Sequence, residues 1–211
     1  MKHLIFIVSA LLVSQLTIAQ NQNISEGIIF DGEPYIAINP QDTNHLVVAW
    51  MGFVSAQQRI QIKYRVSFNG GASWSQTAAL PHVVPGHTAA DPSIAFTEDG
   101  TLYITAIDFT GLDSNPVEGA IYLYTSADGG STFNTPVEVL NIAVAPDKLL
   151  IDRPWIAIDN TTTPITIHIT SMTAEGATPP YHPYVSSSND GGVSFQVQEL
   201  DGAGWLAGSA I

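Results

Sequence analysis

An all-β fold built from a repeated four-stranded antiparallel sheet is what this sequence predicts, and three observations lead there. A short turn motif occurs three times, as Ser67-Phe68-Asn69-Gly70-Gly71-Ala72-Ser73-Trp74, Ser126-Ala127-Asp128-Gly129-Gly130-Ser131-Thr132-Phe133 and Ser188-Asn189-Asp190-Gly191-Gly192-Val193-Ser194-Phe195. In each copy an Asn or Asp side chain can bond its own backbone, the glycine pair supplies positive φ, and a following aromatic anchors the hairpin. A matching apolar segment precedes every turn: Glu33-Pro34-Tyr35-Ile36-Ala37-Ile38, Asp91-Pro92-Ser93-Ile94-Ala95-Phe96 and Arg153-Pro154-Trp155-Ile156-Ala157-Ile158. Third, β-rich runs such as Leu102 to Asp108 and Ala120 to Thr125 fill the space between segment and turn, leaving little room for a helix.

The unit recurs after 59 and then 62 residues, counted from Ser67 to Ser126 to Ser188. That period is long for a solenoid coil and suits one four-stranded blade of a β-propeller, with strand A innermost and the turn joining C to D. The blades are expected at about 30–80, 88–140 and 150–200, and residues 201–211 read as the start of a fourth. Three blades with a stub do not close a ring, so the expectation is a fragment of a six- or seven-bladed propeller, occupying residues 20–211.

The N-terminus has the pattern of an export signal. Lys2 and His3 precede an apolar run from Leu4 to Leu16, and Ala19 offers a small residue at the cleavage point, so residues 1–19 are read as a signal peptide. The alternative is a retained anchor, although the run is shorter than a typical span. No cysteine is present, which excludes disulfides, thiolate metal sites and a cysteine nucleophile. The remaining composition, with 17 Gly and 13 Pro, fits a loop-rich β protein.

Charge narrows the partners. Six Lys plus Arg against nineteen Asp plus Glu give a formal net charge of −13, which repels nucleic acid and anionic membranes. With the export signal, the mature chain is expected to be secreted, with no nucleic-acid partner and no membrane association after cleavage. Its oligomeric state is open.

Blade topology sorts the candidate site residues. If the turns lie on the lower face, the D-to-A and B-to-C connections lie on the upper face, where propellers bind ligands. Asp31, Glu33, His82, His87, Asp91, Asp147, Lys148, Asp152 and Arg153 fall in the first group. Arg59, Asp108, Asp113, Glu118, Tyr181 and His182 fall in the second. Asp42, Asp99 and Asp159 belong to lower turns and are read as turn formers. Glu33, Asp91 and Arg153 share one pre-proline place in successive blades and are expected to point at the central axis. Asp91, Glu33 and Asp108 are thus the candidate catalytic carboxylates. Arg153, Asp152, Trp155 and Asp31 are the candidate substrate-binding residues, Trp155 with Tyr35 or Trp205 as a stacking surface. Simple ion pairing among these charges is the competing explanation. His82, His87 and Asp91 meet no recognised ligand spacing, and neither a metal nor another cofactor is expected.

The repeated turn resembles the Asp-box, or bacterial-neuraminidase repeat, of sialidases and related secreted β-propellers. Its family positions are Ser67, Asn69, Gly71 and Trp74, then Ser126, Asp128, Gly130 and Phe133, then Ser188, Asp190, Gly192 and Phe195, with Asn69 standing where Asp is usual. The resemblance implies a structural role for the boxes, away from any active site, and raises an exo-acting glycoside hydrolase of sialidase type with a glycan or glycoprotein as its ligand. Family sialidases clamp the substrate carboxylate with three arginines and use an Asp acid/base with a Glu-assisted Tyr nucleophile. Here the Arg-Ile-Pro motif is replaced by Gly32-Glu33-Pro34, and only Arg153 occupies an inner-strand entrance. Lysine is a poor substitute for a planar guanidinium, so the departure weighs against sialic acid. A hydrolase of neutral glycans and a non-catalytic binding or adhesion propeller stay open beside it.

Overall fold

The computed structural model describes residues 21–27, 29–110, 118–144, 148–175 and 181–200. The signal peptide, Asp113, Asp147, Trp205 and the fourth-blade start at 201–211 lie outside the described residues, as do the side chains of Lys148, Tyr181 and His182. No helix among the described residues is long and apolar enough to cross a membrane.

Among the described residues twelve strands form three four-stranded antiparallel sheets. The first holds β1 (Asp31–Asn39), β2 (Asp42–Val54), β3 (Arg59–Ser67) and β4 (Ala78–Ala79); the second β5 (Thr88–Phe96), β6 (Leu102–Phe109), β7 (Gly119–Ser126) and β8 (Val137–Asn141). The third holds β9 (Lys148–Asp159), β10 (Thr166–Glu175), β11 (Tyr181–Ser188) and β12 (Gln196–Glu199), and each sheet meanders in chain order. The inner strands β1, β5 and β9 lie side by side, as propeller blades require.

Apolar alternation builds the packing between blades. On β2 and β3, Val47, Ala49, Ile62, Tyr64 and Val66 meet Leu102, Ile104, Ala106, Ala120, Tyr122 and Tyr124 of the second blade in one core. The opposite face of that blade, including Tyr103, Ile107, Ile121 and Leu123, meets Ile167, Ile169 and Tyr184 of the third in another. Each inner strand adds an apolar pair to the core before it: Ile94 and Phe96 to the first, Ile156 and Ile158 to the second. Burying one such side chain stabilises the fold by about 1.5–3 kcal/mol.

The three boxes form equivalent C-to-D turns. In each, the Ser hydroxyl donates to the acidic or amide side chain two residues on and accepts the N–H of the second glycine, at 2.9 Å from Gly71 and 2.8 Å from Gly130 and Gly192. That side chain in turn accepts the backbone N–H of Ser73 (2.8 Å), Thr132 (2.8 Å) or Ser194 (3.0 Å). Both glycines of every box have φ between 66° and 94°, a region that costs an L side chain strain. Donated hydrogen bonds, from Thr132 first, hold the Asp128 carboxyl down at about 2 and keep that of Asp190 well below the usual range. Asp42, Asp99 and Asp159 accept backbone N–H groups from Asn44, Thr101 and Thr161 in the A-to-B turns, as turn formers do.

Asp128→Ala is expected to lower the melting temperature, whereas Asp128→Asn recovers most of the loss, because Asn69 makes the equivalent bonds in the first box. The Asp128 contribution is present above the unfolded-state value and disappears as pH falls through about 2, so wild type and Asp128→Asn converge there. Thermal melts of the three proteins across pH check both points.

The inner strands differ from expectation in one respect. Glu33, Asp91 and Arg153 are not at strand entrances but inside strands, each with φ near +50° (50°, 52° and 51°). The ladder register shifts at the same place in all three blades, between Gly32 and Tyr35, Ala90 and Ser93, and Thr170 and Met172. A β-bulge is how a proline, which lacks an N–H, is accommodated in the middle of an inner strand. The charged residue before it absorbs the kink.

Candidate active site

The three bulges converge. Glu33, Pro34 and Tyr35 from β1, Asp91 from β5, and Arg153, Pro154 and Trp155 from β9 line one cleft of about 200 Å³ at the axis, of a size for a single small ring. Pro92 and Pro154 are fully buried beneath it and hold the bulges rigid. Non-glycine residues in this backbone region cost roughly 1–3 kcal/mol each and persist where the surroundings over-determine them, which is a common property of ligand sites.

Asp91 is the centre of the constellation. Its carboxylate accepts the Arg153 backbone N–H at 3.2 Å, linking the second blade to the third, and Ser93 Oγ accepts the Ile156 N–H at 3.2 Å alongside. Its side chain is also in hydrogen-bond contact with Glu33 on one side and Asp152 on the other. Carboxyl groups in such contact need a proton between them, so one member resists ionisation. Burial first, and then the Glu33 contact, raise the Asp91 carboxyl. Burial, followed by the hydrogen bond and charge of Asp91, pushes Asp152 up to about 6. Arg153 opposes this only weakly: its Nε stands 3.9 Å from Asp152 Oδ2, beyond hydrogen-bond distance.

Tyr35 and Trp155 form the apolar wall, edge to face with ring centroids 6.1 Å apart. Burial, then the charges of Glu33 and Asp91, raise the Tyr35 phenol, so it acts here as a neutral donor. The cleft therefore combines a proton-holding carboxyl, further carboxylate oxygens, a guanidinium and an aromatic surface. Such a set can orient a polyhydroxyl ligand and move a proton onto it.

Of the seven residues expected in the site, Glu33, Asp91, Arg153 and Trp155 line the cleft, and Asp152 joins through Asp91. Asp31 and Asp108 do not. Asp31 accepts the Trp50 indole N–H at 2.9 Å and lies 3.8 Å from Lys63 Nζ, which makes it part of the support of the first blade. Asp108 is a correction of larger consequence. Only 2% of its side chain is exposed, and it accepts the Val83 N–H at 2.6 Å with His87 Nδ1 at 2.8 Å and His82 Nδ1 at 3.4 Å. The strand carries it to a buried position because the B strand runs on to Phe109, past the point where the sequence suggested a loop. The histidines of the D-to-A loop thus turn to Asp108 rather than Asp91. Tyr35, expected as a stacking surface beside Trp155, lines the cleft from the equivalent place two residues after Glu33.

Glu33→Gly is expected to stabilise the fold by about 1 kcal/mol, because glycine adopts positive φ without the side-chain penalty. Ligand binding should be lost in the same variant. Paired melting and binding measurements test this opposition.

No protein-family profile matches the chain, and no curated protein matches it by sequence. Solved structures share its fold. One is a protein of unknown function from Dyadobacter fermentans, with a TM-score of 0.57 and 15% identity over 79% of this chain and 53% of that one. Another is an α-L-arabinofuranosidase of Fusarium graminearum in complex with an iminosugar inhibitor, at TM-score 0.58, 13% identity, 80% of this chain and 50% of that one. A third is an α-L-arabinanase of Penicillium chrysogenum complexed with arabinobiose, at TM-score 0.57, 14% identity, and again 80% and 50%. The chain spans about half the length of these structures. Over that half the chain shares its fold with these structures; the two enzymes among them are named for arabinose-containing compounds, not sialosides.

Proposed function

We propose that this chain forms the substrate-binding half-ring of a secreted β-propeller glycoside hydrolase acting on neutral glycans. The observation that carries the proposal is the convergence of three strained bulge residues, one per blade, on a single cleft in which the Asp91 carboxyl is raised by burial and backed by Asp152. Glycoside hydrolysis needs a carboxyl that protonates the leaving oxygen and a second carboxylate for the anomeric side. Asp91, on the cleft wall, is suited to the first task, sharing the proton that Asp152 behind it holds up to about pH 6, and Glu33, exposed beside Asp91, to the second. Tyr35 with Trp155 receives the apolar face of the sugar. The named ligands of the propeller glycosidases above support a carbohydrate of this size.

Charge selects the neutral class. Among the described residues the cleft offers one guanidinium against two lining carboxyls and Asp152 behind them, so an anionic sugar meets repulsion. The sialidase type has Arg153 in its favour and lacks the companion arginines. Export follows from the signal pattern at residues 1–19. The test is the secreted protein assayed on a panel of arabinosides, other neutral glycosides and sialosides, with Arg153→Lys alongside. Turnover of a neutral glycoside that falls in the variant is the expected result. Turnover of sialosides alone overturns the neutral specificity, and glycan binding without turnover leaves a binding propeller.

A further inference from the structure

The aromatic wall of the cleft is fastened from a strand that contributes no ring to it. β9 is an edge strand of its own sheet, so N–H groups on its free side need acceptors from elsewhere. Two of them find these on β5: Arg153 donates to Asp91 Oδ2 and Ile156 to Ser93 Oγ, each at 3.2 Å. Trp155 lies between the two fastened amides, and Pro154 before it is fully buried and has no N–H of its own. The backbone that aims the indole is thus pinned at both ends by side chains of the neighbouring blade.

Ser93 holds the place in β5 that Tyr35 holds in β1 and Trp155 in β9, two residues after the bulge residue. β5 packs against both of those strands, and the Tyr35 and Trp155 rings meet across it, edge to face with centroids 6.1 Å apart. A serine here, only 6% exposed, leaves room for that meeting, whereas a third ring would separate the two. A hydroxyl one carbon from the backbone also reaches the Ile156 N–H; a phenol or an indole in its place offers no acceptor there.

We infer that Ser93 is a positioning residue of the cleft: its hydroxyl, together with the Asp91 carboxylate, sets the direction of the Trp155 ring, and its small size lets that ring meet Tyr35. Ser93 lies behind the cleft rather than on its lining, so it acts through Trp155 and touches no ligand. That the wall so built receives a sugar rests on the proposed function; the positioning itself does not.

The test uses the full chain with Ser93→Ala, which removes the acceptor, and Ser93→Thr, which keeps it. The near-ultraviolet dichroism of Trp155, taken as the difference between each protein and the same protein carrying Trp155→Phe, reads the ring contact. Amide hydrogen exchange at Ile156 reads the hydrogen bond. Ser93→Ala is expected to lose at least about half of the Trp155 band and to exchange the Ile156 amide about fivefold faster, with both near wild type in Ser93→Thr. On a glycoside that the wild type turns over, Ser93→Ala should raise KM about tenfold and keep kcat within about twofold, the pattern of binding lost equally in ground and transition state. An unchanged Trp155 band in Ser93→Ala overturns the inference, as does an equal loss in Ser93→Thr or a fall in kcat at unchanged KM. Dichroism and exchange need no substrate, so a chain that turns over no glycoside defeats the glycosidase proposal while those two readouts still decide the role of Ser93.

Discussion

Asp152→Asn is expected to lower kcat on the neutral glycoside found by the substrate panel by about a hundredfold, the low end of the scale for losing acid catalysis, because the Asp91 carboxyl loses the partner that shares its proton. KM should change little, since Asp152 stands behind the Asp91 carboxyl rather than on the cleft wall. Wild-type activity that depends on the protonated acid falls as pH rises through about 6, and this limb is absent from the residual activity of the variant. The variant gains stability where it loses activity. The folded Asp152 carboxyl lies above its unfolded value, so its contribution is fully present below the unfolded value and is lost as pH rises through about 6. With 36% of the side chain exposed, solvent screening reduces that loss to about 1 kcal/mol. Asp152→Asn should therefore melt slightly higher than wild type at pH 8, while the two converge near pH 4. A variant that keeps wild-type kcat at matched folded concentration would remove Asp152 from the proton supply and leave the acid role to Asp91 alone.

The second large effect is structural. Asp108→Ala is expected to destabilise the protein by about 3 kcal/mol, the scale for deleting one partner of a buried polar cluster. The Val83 N–H loses its acceptor, and the His87 and His82 rings, with Nδ1 at 2.8 Å and 3.4 Å, lose the carboxylate they face in the buried cluster. Tyr124 beside them is committed to the Pro81 carbonyl at 3.1 Å and cannot replace it. At about 2–4 °C per kcal/mol, the melting temperature should fall by roughly 6–12 °C. Asp108→Asn keeps one acceptor oxygen and should lie in between. Because Asp108 lies outside the cleft, kcat at matched folded concentration should be unchanged in both variants; a selective loss of kcat would return Asp108 to the reaction.

Local chemistry written in contiguous residues was legible from the sequence. The boxes fold through Asx geometry and glycine φ preferences, both of which are decided within eight residues, and so Ser67, Ser126 and Ser188 by themselves mark the sheets and their period. The pre-proline place also located Glu33, Asp91 and Arg153, since a repeated unit puts equivalent residues at equivalent radii from one axis. Two things depended on tertiary structure. Whether a carboxylate near a strand end reaches the rim is set by strand length and by what packs beside it, and so Asp108 was drawn to His82 and His87 while Asp31 went to Trp50. The protonation of Asp152 is set first by its burial and then by Asp91, 61 positions earlier in the chain, and both exist only once β5 lies against β9. Sequence determines which groups the chain carries and how each turn folds; the packing of blade on blade decides which of them share a proton, because desolvation and charge act through space rather than along the chain.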